Sequence, residues 1–281
     1  MTAYREGSPG DARGCIAVPI ASDDKYSRGV LGILSGSDAY PGAAVLSVEA
    51  ALRTGVGMVR YLGPSRASEL VLRRRPEAVT VTGHVQAWLL GSGMDAASRD
   101  PAATARLTDA LGQGVPTVVD AGALDLLSQA TGPTVITPHL RELARVLGTD
   151  AQRLADDPAA SARRAADELG ATVLLKGHHS YIASPDGTSL VASLAPAWTA
   201  TAGTGDALGG ILGALLATHA NEIAEDGSML AQLAATASVL HGLAAQRASG
   251  GGPFVALDLA VALPGVISEL LGLPDAGAEK S

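Results

Sequence analysis

The stretch TATAGTGDALGGILGALLATHA, Thr199 to Ala220, sets the carboxylate of Asp206 directly after Gly203-Thr204-Gly205 and at the head of a long apolar, helix-like run. The first backbone N–H groups of a helix lack intrahelical partners, and the helix dipole favours negative charge at that end. Glycines at a helix start therefore suit an anion. A carboxylate in the same place repels that anion unless it serves another purpose. Two readings follow. Asp206 is the N-cap of a helix, a position Asp favours, or it is a base beside a bound phosphate. In the second reading Gly203, Thr204 and Gly205 hold the anion while Asp206 takes the proton of an acceptor hydroxyl.

Other chemistry-bearing residues sit where short apolar runs end: Ser35-Gly36-Ser37-Asp38, Gly91-Ser92-Gly93, Asp120, Thr137-Pro138-His139 and Lys176-Gly177. Each has a plain structural alternative. Asp120 could cap the next helix, Gly91 and Gly93 could form a turn, His139 could be a loop histidine, and Lys176 could be a solvated strand end. Their recurrence at one edge of a sheet points to a shared crevice, because strand ends build the ligand site of such folds. No G-x-x-x-x-G-K-[ST] and no G-x-G-x-x-G after the first strand occurs. Cys and His spacing supports no zinc site. His178 and His179, adjacent on an expected strand, would face opposite ways and share no metal. Cys15 is the single cysteine and is assigned a structural role.

The elements that must position these residues read as strand–helix alternation. Residues 29–36, 57–63, 87–93, 116–122, 133–137 and 171–177 are short β-rich runs, with helical patterns at 43–55, 104–114, 140–148 and 161–170 between them. That order requires crossovers and a mostly parallel sheet covered on both faces. Residues 181–193 carry two alternating runs around Pro185-Asp186-Gly187, a hairpin that gives the sheet a small antiparallel edge. Beyond Asp206 the chain is Ala-rich and helical, with 219–228 expected as a surface loop. The fold class is α/β, a three-layer αβα domain over residues 25–272, with a loose lead-in at 1–24 and a frayed tail at 273–281. A 47% hydrophobic content supplies ample core, and one Phe, two Trp and five Tyr leave it to Ala, Leu and Val. A net charge of −8 argues against nucleic-acid binding. No segment approaches the ~20 apolar residues of a membrane span, and the N-terminus is no secretory signal. The expected location is cytoplasmic.

Several segments, in order, carry a specific resemblance: KYSRGVLGILSGSDAYPGAAVLSVEAALRTGVGMVRY (25–61), LLGSGMD (89–95), VVDAGAL (118–124), VITPHLRELARVLG (135–148), VLLKGHHSYIASPDG (173–187) and TATAGTGDALGGILGALLA (199–217). From Lys25 to about Ala248 the chain resembles the ADP-dependent NAD(P)H-hydrate dehydratases, ribokinase-like proteins. The resemblance implies repair of NADH or NADPH hydrated at C6 of the nicotinamide ring. ADP phosphorylates the hydroxyl, phosphate leaves, and AMP and phosphate are released. It places the hydrate on Ala43, Gly93, His139 and Asp206, and ADP on Lys176, Gly177, His178, His179, Ser180 and Gly205. It further implies magnesium arriving with ADP and held by phosphates and water, with no dedicated protein metal site, a homotetramer, and a separate NAD(P)H-hydrate epimerase as partner. The residues before Lys25 are too few for the epimerase domain many relatives carry, so the chain is expected to be the dehydratase alone.

The chain departs from the family pattern at Ser92 and Asp95, within a segment that often reads Gly-Pro-Gly-x-Gly, at Ala202 where Gly is common, and at Asp24 where His is common. The alternative is a ribokinase-like kinase of the hydroxyethylthiazole or hydroxymethylpyrimidine type, which would use ATP and stop at phosphorylation. A catalytically dead nucleotide-binding regulator would show an altered Asp206 or Gly205, and both residues are intact.

Overall fold

The computed structural model describes residues 4–272; the tail expected at 273–281 lies outside them. Nine strands form: β1 (Arg5–Glu6), β2 (Val30–Leu34), β3 (Met58–Tyr61), β4 (Ala87–Leu90), β5 (Thr117–Val119), β6 (Thr134–Ile136), β7 (Thr172–Leu175), β8 (Ser180–Ala183) and β9 (Ser189–Ala192). They pair in the order β1-β9-β8-β7-β6-β5-β4-β2-β3. Only β8 runs antiparallel to its neighbours, β7 and β9; the other pairings are parallel.

The helices are α1 (Pro9–Gly14), α2 (Gly42–Thr54), α3 (Ser65–Arg74), α4 (Pro101–Leu111), α5 (Leu140–Val146), α6 (Ala151–Asp156), α7 (Pro158–Leu169), α8 (Thr204–Thr218), α9 (Ala220–Glu225), α10 (Met229–Ser249) and α11 (Ala256–Leu271). Because strand side chains alternate in direction, the sheet splits its apolar residues between two cores. Leu31, Ile33, Leu89, Val118, Val135 and Leu174 pack with α2, α8, α10 and α11. Val30, Leu34, Trp88, Leu90, Val119, Ile136 and Val173 pack with α4, α5 and α7. The result is the three-layer αβα architecture expected from strand–helix alternation.

Helix α8 lies tightly in its layer because it carries glycine where a side chain would not fit. A methyl at Gly210 would overlap the backbone carbonyl oxygen of Ser47 in α2, and one at Gly213 would come within 3.0 Å of Leu31. Helix α2 is tied outward to α3 by a buried carboxylate: Glu49, with no exposed surface, accepts from Arg53, Arg74 and Arg75. Burial alone would raise the proton affinity of Glu49, but the three guanidiniums outweigh it and hold its pKa at about 2.

Two expectations are corrected. The segment read as a loose lead-in is in part ordered. Arg5 and Glu6 pair in parallel with Leu190 and Val191 of β9, Ser8 and Asp11 form a reciprocal cap on α1, and Ala12 packs against Ala192 and Val239. The antiparallel pair therefore sits near the edge of the sheet rather than at it. A two-residue strand held by backbone bonds leaves no apolar periodicity to read. Residues 219–228, expected as a surface loop, contain α9, whose Ile223 is buried in the larger core.

Candidate active site

The tips of β4, β5, β6 and β7 and the start of α8 converge at the carboxyl edge of the sheet. Gly203, in the left-handed region at φ 91°, is the N-cap of α8, and Asp206 is its third residue. The capping reading of Asp206 therefore fails. Thr204 secures the turn by donating its hydroxyl to the carbonyls of Thr199 and Thr201, both at 2.9 Å. The Asp206 carboxylate accepts no hydrogen bond among the described residues. Its pKa is pushed up to about 7, first by burial and then by the charge of Asp120, with Lys176 opposing.

Asp120, at the end of β5, is the hub of the crevice floor. Its buried carboxylate accepts from Ser92 Oγ (2.9 Å), Thr137 Oγ1 (2.9 Å) and Lys176 Nζ (2.8 Å). It stands at the cap position of the 3₁₀ helix Ala121–Gln129 but makes no side-chain capping bond, so that alternative fails as well. Ala121 follows it at φ 42°, a conformation that costs a residue with a Cβ roughly 1 kcal/mol or more. Lys176 is not a free cation, since Glu142 Oε2 lies 3.9 Å from the ammonium already bonded to Asp120. Burial disfavours its charged form, but Asp120, Glu142 and Asp206 outweigh that and raise its pKa.

His139 caps α5. Its Nδ1 accepts from the backbone N–H groups of Arg141 (3.1 Å) and Glu142 (3.3 Å), so the neutral ring carries its proton on Nε2. Glu142 reciprocates by accepting from the His139 N–H at 2.8 Å. The loop-histidine reading is thus met in part: the half-exposed ring caps a helix, and its Nε2–H, 3.6 Å from Glu142 Oε1 and so beyond a hydrogen bond, can donate to a ligand.

Gly93, at φ 67°, touches the other side of the crevice. A methyl there would overlap Ala43 Cβ and come within 3.3 Å of Gly36. The first turn of α2 and the loop after β4 thus meet with no room for a side chain at Gly93.

A cavity of about 740 Å³ opens beside the start of α8. Of the residues expected for nucleotide, Lys176, Gly177, His178, Ser180 and Gly205 line it, together with His139 and Thr204. His179 does not; its ring turns to Ser193 Oγ at 2.8 Å. Nor do Ala43, Gly93, Gly203 and Asp206, which lie outside the lining. His178 and His179 are in the bend before β8 rather than on a strand, and their rings meet edge to face at 4.8 Å.

Sequence reasoning named Asp120 and Thr137 as strand-end candidates without giving either a role, and it left Glu142 and His241 out of the site. The strand-end position of Asp120 and the TPH-x-x-E spacing of Glu142 were the available signals. His241 had none. It comes from the middle of α10, lines the cavity, and donates Nε2–H to the Thr204 carbonyl at 2.9 Å. Burial, aided by Lys176 and opposed by the Thr204 bond, lowers its pKa to about 4, so it is neutral at physiological pH.

Comparison with known proteins shows the family of the chain. A family model described as NAD(P)H-hydrate dehydratase matches residues 31–257. The bifunctional NAD(P)H-hydrate repair enzyme Nnr of Mycobacterium leprae is 44% identical over 212 residues, covering 71% of this chain and 43% of that protein. The chain thus matches less than half the length of that relative. The ADP-dependent (S)-NAD(P)H-hydrate dehydratase of Neisseria meningitidis is 34% identical over 240 residues, covering 79% of this chain and 77% of that one. The crystal structure of an ADP/ATP-dependent NAD(P)H-hydrate dehydratase from Bacillus subtilis, co-crystallized with ATP/Mg2+, superposes with a TM-score of 0.84 at 25% identity, over 96% of this chain and all of that one. The three-layer αβα architecture is therefore shared with a solved dehydratase, and the chain belongs to the NAD(P)H-hydrate dehydratase family.

Proposed function

We propose that the protein is an ADP-dependent NAD(P)H-hydrate dehydratase that returns NADH or NADPH hydrated at C6 to the working cofactor. The observation that carries the reading is Asp206. It is a carboxylate with no hydrogen-bond partner, in the first turn of a glycine-capped helix, with a pKa of about 7. A base of that strength is matched to neutral pH.

Hydroxide is a poor leaving group, so the chemistry runs through phosphate. Asp206 takes the C6 hydroxyl proton and the oxygen attacks the β-phosphorus of ADP, which breaks the bond to AMP. The lone pair of the ring nitrogen then expels phosphate from C6, and loss of the C5 proton restores the ring double bond. Gly203, Thr204 and Gly205 offer backbone N–H groups to the transferring phosphoryl. Lys176 offers positive charge that an acidic chain otherwise lacks there. His139 Nε2–H and the Ala43–Gly93 junction orient the hydrate, and Lys176, Gly177, His178, Ser180 and Gly205 receive the nucleotide.

No cluster of three or more metal-ligating side chains occurs among the described residues. The donors facing the crevice are carboxylate oxygens, which suit a hard cation. Magnesium would neutralise charge on the nucleotide phosphates and be held by those phosphates and water. Magnesium, a homotetramer, a cytoplasmic location and a separate epimerase all rest on the family likeness. No helix among the described residues is long and apolar enough to cross a membrane.

The test is to incubate the purified protein with NADH hydrate and either ADP or ATP, following the absorbance of the dihydronicotinamide ring and the release of AMP and phosphate. Repair with ADP, faster than with ATP at matched magnesium, is expected. Equal or faster turnover with ATP would refute the ADP preference. A stable phosphorylated product with no restored cofactor would favour a small-alcohol kinase instead.

A further inference from the structure

The hydrate is a dinucleotide, and only its nicotinamide end is accounted for by Ala43, Gly93, His139 and Asp206. The 740 Å³ cavity is taken by ADP on the reading above. The rest of the hydrate, with its pyrophosphate and second ribose, must lie elsewhere, on a protein whose net charge of −8 repels it.

A second cavity, of about 310 Å³, begins where the hydrate ring is placed. Its walls include Gly36, Asp38, Gly63, Met94 and Arg106. It adjoins the ring subsite, since Met94 follows Gly93 and a methyl on Gly93 would lie 3.3 Å from Gly36. A third cavity, of about 370 Å³, continues outward and shares Leu34, Gly63 and Arg106 with it. Arg106, on α4, is thus the charged residue common to both.

Most charges around the second cavity are already engaged. Arg99 is bonded to Asp125 and the Gly122 carbonyl, Asp100 caps α4 through the Ala103 N–H, and Asp95 accepts from the Ala97 N–H. Two are not. Arg106 makes no hydrogen bond or ion pair among the described residues, and the Asp38 carboxylate accepts no hydrogen bond there. They do not pair with each other. Both are exposed residues on the cavity wall, and one free guanidinium and one free carboxylate there suit a ligand that brings a phosphate for the first and a hydroxyl donor for the second. A phosphorylated ribose carries both groups.

We propose that the cavities flanking Arg106 bind the pyrophosphate and adenosine half of the hydrate, with Arg106 on a phosphate and Asp38 on a ribose hydroxyl. The inference rests on the dehydratase reading and names where the remote half of its substrate lies.

The probes are NADH hydrate and the hydrate of reduced nicotinamide riboside, which has the same ring but no phosphate. Arg106→Ala is expected to raise KM for NADH hydrate roughly tenfold, the effect of losing one charge-assisted hydrogen bond. KM for the riboside hydrate and for ADP should be unchanged, and Arg106→Lys should recover part of the loss. Unchanged KM for NADH hydrate would overturn the proposal. So would an equal rise for the riboside hydrate, which means general damage, or a rise for ADP, which assigns the cavity to the nucleotide. Wild-type repair of NADH hydrate with an indifferent Arg106 sinks this inference alone. No wild-type repair at all removes the dehydratase reading and this inference with it.

Discussion

Asp206 and His139 each have a proposed chemical role beside an effect on stability, and the two can be separated. The raised pKa of Asp206 has a stability consequence. Below its ordinary value of 3.8 the carboxyl is protonated whether folded or not. Between about 4 and 7 the unfolded chain gives up the proton while the folded protein keeps it, so this group costs stability as pH rises through that window. Asp206→Asn should therefore melt higher than the wild type at about pH 8, with the advantage vanishing near pH 4. An advantage independent of pH would contradict the raised pKa. For His139, Asn is the informative substitution, because it caps a helix as well as any residue but lacks the Nε2–H donor. His139→Asn should raise KM for the hydrate by the equivalent of about 1–3 kcal/mol and leave both the melting temperature and KM for ADP unchanged. An unaffected hydrate KM would confine His139 to capping α5. Both residues were legible in the sequence because glycines and a helix pattern flank Asp206 and a strand end precedes His139. Asp120 was visible only as a strand end. Its partners, Ser92, Thr137 and Lys176, are 28, 17 and 56 residues away, and no local pattern encodes a meeting at that distance.

Among the elements, α2 and α8 hold the crevice open at fixed width, and each has a point where one atom decides the packing. Gly210→Ala puts a methyl onto the Ser47 carbonyl and should destabilise the protein by about 1–3 kcal/mol, as overpacked cores do, although Ala is the better helix former. Thermal melts showing a stabilised Gly210→Ala would contradict the close approach. Glu49→Gln removes the charge that three arginines share and should cost about 3–5 kcal/mol at neutral pH. Since the folded pKa of Glu49 is held down at about 2, its stabilisation is present above its ordinary value of 4.5 and lost as pH falls toward 2. The variant's acid melting curve should therefore flatten in that window. The parallel strands and their helices were readable because apolar runs ended by Gly, Asp or Thr are strong punctuation. β1 and α9 were not, because one is held by backbone bonds and the other buries a single isoleucine.

At the scale of the whole molecule, sheet order gathers residues from 36 to 241 at one edge, and the proposed work is divided along it. ADP lies beside α8, the hydrated ring at the Ala43–Gly93 junction, and the remote half of the dinucleotide toward Arg106. Asp206 stands where the first two meet. The most direct measurement of the central claim is the rate of ADP-driven repair of NADH hydrate by Asp206→Asn, with ADP affinity measured on the same sample. An amide keeps the size of the side chain but cannot take the proton, so turnover should fall about 10²–10⁴-fold. ADP binding should hold or tighten, because a negative charge beside the phosphates is gone. A folded, ADP-binding Asp206→Asn that retains most of its turnover would contradict the account.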